Sequence, residues 1–135
     1  CGSREFIHKA HRARKQLGGG MRQAGVMAAA GIVALESMVD RLTEDHARAR
    51  RLAQGLQEIP EVTVEKFPPP TNMVYIRLSP GAPLDGIGLA ARLKTKGILI
   101  HPVENSRIRL VLHYWIDDSR VERVLEAFRS ELVAG

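Results

Sequence analysis

Two stretches of this chain have residue types and spacing that can do chemistry. The first, Lys15-Gln16-Leu17-Gly18-Gly19-Gly20-Met21-Arg22, sets three glycines between two cations. Glycine lets an anion approach the backbone, and a helix beginning just beyond would offer unpaired N–H groups and the positive end of its dipole. The stretch therefore reads as an anion-binding corner to which Lys15 and Arg22 add full charges. Its spacing matches neither the phosphate-loop pattern nor G-x-G-x-x-G, and it follows a helix rather than a strand, which argues against those nucleotide-binding mechanisms. A helix C-cap and a flexible turn would account for the same glycines with no ligand at all.

The second stretch runs from Arg107 to His113. Strand alternation puts Ile108, Leu110 and Leu112 on one face and Arg107, Arg109, Val111 and His113 on the other. An arginine on an open face offers a planar fork that grips a carboxylate by two parallel charge-assisted bonds, which lysine cannot reproduce. An edge salt bridge is the competing role for Arg109. Thr95-Lys96-Gly97 superficially imitates a cofactor-binding lysine, but it falls at an expected helix end, where Lys complements the dipole and Gly caps; Lys96 should be solvated. His8 and His11 are three apart with no third ligand in evidence, so no metal site is expected.

These side chains must be positioned by a series of short elements. Residues 3–17 read as a helix with Ser3 as N-cap and Phe6, Ala10, Ala13 and Leu17 on its inner stripe. Ala24 to Leu35 is apolar on all sides, too short to cross a bilayer, and should be buried all round, against a further domain or a partner where this chain cannot cover it. Thr43 is placed to cap a helix reaching Gln57. Strands follow at 62–65 and 72–78, a helix at 84–96 closed by Gly97, and strands at Ile98-Leu99-Ile100 and 107–113. Asp117 or Ser119 starts the last helix, with Ser119 and Glu122 as a capping box and Val121, Leu125, Phe128 and Leu132 facing inward. The fold class is α/β: N-terminal helices, then a two-layer α/β domain.

The ordered set Gly2-Ser3-Arg4-Glu5-Phe6-Ile7, Arg14-Lys15, Gly18 to Gly25, Ala28-Ala29-Ala30-Gly31, Thr71-Asn72 and Arg109-Leu110-Val111-Leu112-His113 closely resembles the low-specificity L-threonine aldolases. These are pyridoxal-phosphate enzymes of the aspartate aminotransferase-like fold type I, within the β-eliminating lyases. The resemblance implies that residues 1–42 are a helical segment of the cofactor-binding large domain and oligomer interface, and that 43–135 form the C-terminal small domain. It implies cleavage of L-threonine or L-allo-threonine to glycine and acetaldehyde, with Arg109 holding the substrate carboxylate, Lys15 and Arg22 near the cofactor phosphate, and a homotetramer as the assembly. The family's Schiff-base lysine, in a Ser-Lys-Gly context, has no counterpart here. The chain is thus expected to be the C-terminal part of an enzyme and inactive alone. Another pyridoxal-phosphate β-eliminating lyase, or a noncatalytic helical assembly module, are the alternatives.

Composition is that of a globular protein, 44% hydrophobic and 26% charged. The net charge of +5 would suit nucleic acid, but the cations are spread over amphipathic segments and only 4% of residues are aromatic, leaving few stacking platforms. No nucleic-acid or membrane partner is expected, and the partner of the site is a small amino acid. A single cysteine, Cys1, excludes an internal disulfide framework and fits a cytoplasmic location.

Overall fold

The structure, a computed structural model, describes residues 1–133. It contains two compact units, Cys1–Val39 and a second starting at Asp40.

The first unit holds α1 (Arg4–Gln16) and α2 (Gly25–Ser37). Ser3 caps α1 as its sequence context predicts, its hydroxyl accepting from the Phe6 N–H at 3.3 Å. The stripe expected to face inward does not: no residue of α1 is buried, and Leu17 is 87% exposed. The apolar run likewise forms a helix but not a buried one. Val26, Met27, Ile32, Val33 and Leu35 of α2 are all exposed and no residue of the helix is buried, although a helix that is apolar on every side needs cover all round.

The second unit is two-layered, with α3 (Leu42–Gln57), β1 (Val62–Val64), β2 (Met73–Leu78), α4 (Gly86–Thr95), β3 (His101–Pro102), β4 (Arg107–Val111) and α5 (Asp118–Leu132). The sheet is antiparallel with strand order β1-β2-β4-β3. Strand alternation decides which face is covered. Val74, Ile76 and Leu78 of β2 and Ile108 and Leu110 of β4 point into the core, against Ala49, Leu52 and Leu56 of α3 and Val121, Leu125 and Phe128 of α5. The helical stripes recur every three to four residues, so one face of each helix closes over one face of the sheet. The opposite face carries Met73, Tyr75, Arg77, Arg107 and Arg109, none of which is buried.

Three local expectations are corrected. Thr43 does not cap α3; the N-cap is Arg41, with no side-chain cap bond, and the helix start is fixed instead by the Arg41–Asp45 pair described below. Ile98 to Ile100 is not a strand, and pairing begins only at His101. Ser119 and Glu122 make no capping box: Asp117 is the cap, accepting from the Arg120 N–H at 2.9 Å, while Ser119 donates its hydroxyl to Asp117 at 2.7 Å. The aspartate takes the cap from the serine because its charged Oδ1 accepts from both donors.

Candidate functional site

The glycine corner resolves into a helix cap. Gly18 adopts φ +78°, the left-handed position that glycine occupies without a Cβ penalty. Its N–H reaches Lys15 O at 3.3 Å and the Gly19 N–H reaches Arg14 O at 2.8 Å, the paired bonds that close a helix C-terminus. Met21 donates back to Gly19 O at 3.2 Å, and α2 begins only at Gly25 without a side-chain cap. The backbone donors of Gly18, Gly19 and Met21 are therefore spent inside the turn, and no helix N-terminus adjoins the glycines. The cations are disposed differently. The Lys15 side chain lies across Gly20, where an added Cβ would sit 2.8 Å from its Cδ and 3.1 Å from its Nζ. Neither Lys15 nor Arg22 has a carboxylate partner among the described residues.

On the second unit, β4 places two arginines side by side with different fates. Arg107 forks onto Glu65, Nε to Oε1 at 2.8 Å and Nη2 to Oε2 at 3.0 Å, and its guanidinium covers the Tyr75 ring at 4.8 Å. The Arg107 hydrogen bond, with the charges of Arg107 and Arg77, holds the Glu65 carboxyl below its ordinary range, while desolvation opposes this. Arg109 is exposed and has no hydrogen-bonded or ionic side-chain partner among the described residues. The edge salt bridge that sequence leaves open for Arg109 is thus taken by its neighbour.

Arg109 lines a hollow of about 440 Å³ together with His101, His113, Arg120 and Arg123 at the polar positions and Ile98, Leu112 and Val124 at apolar ones. Asn72 fixes the strand end beside it: its Nδ2 donates to Leu112 O at 2.6 Å while its own carbonyl accepts the Leu112 N–H at 2.9 Å. Arg123 donates to the Lys96 carbonyl and Arg120 to the Trp115 carbonyl, so neither guanidinium is as free as that of Arg109. Lys96 itself is not simply solvated. It bonds Glu131 at 2.7 Å and Ser130 at 2.5 Å, and Gly97 at φ +73° closes α4 as expected. No group of three or more potential metal ligands occurs among the described residues, and none of their helices is long and apolar enough to cross a membrane.

Sequence reasoning singles out Arg109 but not Glu65, which binds Arg107 from 42 residues away. Nor does it find His101, whose position opposite Arg109 is a matter of register.

Known proteins with this architecture place the chain. A cystine C-S lyase, C-DES, solved with cysteine persulfide, superposes with a TM-score of 0.62 at 21% identity over 76% of this chain and 27% of that one. The aminotransferase TlmJ from Streptoalloteichus hindustanus gives 0.57 at 20% identity over 71% and 34%. The fold is therefore that of the fold type I enzymes. The chain belongs to the beta-eliminating lyase family, whose model matches residues 1–79. Relatives include low-specificity L-threonine aldolase 1 of Arabidopsis thaliana, 39% identical over 98% of this chain, and the low specificity L-threonine aldolase of Escherichia coli strain K12, 35% identical over 97%. The chain spans 37% of the length of each.

Proposed function

We propose that this chain is the C-terminal portion of a pyridoxal-phosphate-dependent aldolase that cleaves L-threonine or L-allo-threonine into glycine and acetaldehyde. Curated relatives matching nearly its whole length support the reading, and the single observation that carries it is the exposed Arg109, without a side-chain partner among the described residues, beside an Arg107 that is committed to Glu65.

The cofactor supplies, when bound, an electron sink for the pair released as the Cα–Cβ bond breaks. The chain's own part is binding and orientation. Two unpaired cations, one folded over a glycine that a Cβ would obstruct, fit a phosphate ester; Lys15 and Arg22 would hold it mainly by charge, since the glycine N–H groups are largely spent. Arg109 would grip the substrate carboxylate through its fork, fixing one end of the amino acid. Residues 1–42 belong in this reading to the cofactor-binding large domain and oligomer interface, and 43–135 to the small domain. A homotetramer would cover α2, and the enzyme would be cytoplasmic.

Assay of the full-length protein with L-threonine tests the function. Glycine and acetaldehyde in equal amounts are expected; ammonia release without glycine would instead make it another β-eliminating lyase, and a colourless, inactive protein a noncatalytic assembly module. The 135-residue chain alone should give no acetaldehyde. Light scattering of the full-length protein should give four times the monomer mass.

A further inference from the structure

Arg109 pairs with Tyr75 of β2 on one side and His101 of β3 on the other. Directly opposed residues in an antiparallel ladder share a face, with Cβ atoms about 4.5–5.5 Å apart. The open face of the sheet thus carries Tyr75, Arg109 and His101 in one row. Its two flanks differ. Tyr75 is occupied: the Arg107 guanidinium covers its ring at 4.8 Å and its hydroxyl meets Met73 Sδ at 3.9 Å. His101 is exposed, has no side-chain partner among the described residues, and lines the same hollow as Arg109.

A carboxylate presents about four lone-pair sites, and a bidentate arginine fork uses two of them. The remaining sites need donors from another direction. An imidazole has an N–H to give in either protonation state, and His101 is the one side chain in the row with that donor uncommitted.

We propose that His101 is a second substrate-binding residue, donating its ring N–H to the same carboxylate that Arg109 grips. The amino acid is then held from two strands, which fixes rotation about its Cα–carboxyl bond as well as its position. This rests on the Arg109 reading above.

The test uses the full-length protein, with glycine and glycinamide as calorimetric probes that differ only in the carboxylate. His101→Leu should weaken glycine about three- to tenfold, the range of one net hydrogen bond, and leave glycinamide unchanged. His101→Gln, which keeps an N–H donor, should recover most of the loss, and with threonine KM should rise by more than kcat falls. Unchanged glycine affinity in His101→Leu, beside a clear loss in Arg109→Lys, overturns the role of His101 alone. Equal weakening of glycine and glycinamide also overturns it, since only general distortion of the site is then seen. If Arg109→Lys is silent as well, the carboxylate reading beneath it falls.

Discussion

Arg107 and Arg109 stand two residues apart on the same face of β4, and only Arg107 is spoken for, forked onto Glu65 at 2.8 and 3.0 Å. The same side-chain chemistry is structural at one position and available to a ligand at the other. What separates them is Glu65, which follows β1 directly and stands opposite Tyr75 of β2: Arg107 reaches across the Tyr75 ring to bind it, while Arg109 does not.

In the full-length protein, Arg109→Lys keeps the charge but loses one of two parallel bonds. A bond to a charged group is worth about 1.5–3 kcal/mol, so kcat/KM should fall roughly tenfold to over a hundredfold. Arg107→Lys should instead leave kcat/KM nearly unchanged and slightly lower the melting temperature. Steady-state kinetics on both variants checks this; a change of less than about twofold in Arg109→Lys means the residue does not bind the carboxylate.

Arg22→Ala should show the opposite pattern. With the backbone donors of the glycine turn spent on capping α1, a phosphate there would depend on the two cations. Removing one should speed cofactor loss on dialysis, while added pyridoxal phosphate restores most of the rate. Loss of activity that no excess of cofactor restores would place Arg22 elsewhere in the mechanism.

Local rules account for the parts of this structure that sequence makes legible. Ser3 and Gly97 bound helices because caps are local, and β4 alternates as read because one of its faces is buried. The errors arise where distant residues decide. Gly18 to Gly20 sit between two helices, and whether they end the first or begin the second depends on how far the next helix is delayed. Ile98 to Ile100 have strand composition, yet the hairpin bonds Val103 N–H to Arg107 O at 2.8 Å and leave them beyond the paired segment. The free state of Arg109 depends on Glu65, and no periodicity within β4 records that.

The Arg41–Asp45 pair should be the most costly ion pair to break in the second unit. Asp45 has a side chain only 3% exposed, bound by Arg41 at 3.0 and 2.5 Å, and Arg41 also lies over the Tyr114 ring at 4.9 Å. Arg41→Met strands a buried carboxylate and should cost about 3 kcal/mol, the lower end for such pairs. Replacing both, Arg41→Met with Asp45→Leu, removes the orphaned charge and should recover much of the loss. Denaturant midpoints for the single and double variants give the comparison; equal losses would show that the packing of Arg41, rather than its charge, is what matters.

Acid should unfold the second unit in a definite direction. The Glu65 carboxyl is held low by the Arg107 hydrogen bond, Asp117 by the Arg120 N–H, and Glu131 by the Lys96 hydrogen bond. A carboxyl whose folded value lies below its unfolded value contributes its full stability above the unfolded value and loses it as the pH falls through the folded one. The unfolded references are 4.5 for Glu65 and Glu131 and 3.8 for Asp117. With respect to these three groups, the melting temperature should be level from neutrality to about pH 5 and fall below about pH 4.5. Glu65→Gln cannot titrate, so it should start lower at neutral pH and lose less on acidification, the two curves converging toward pH 3. Parallel curves across that range would mean that Arg107 does not hold Glu65 in solution and is as available as Arg109.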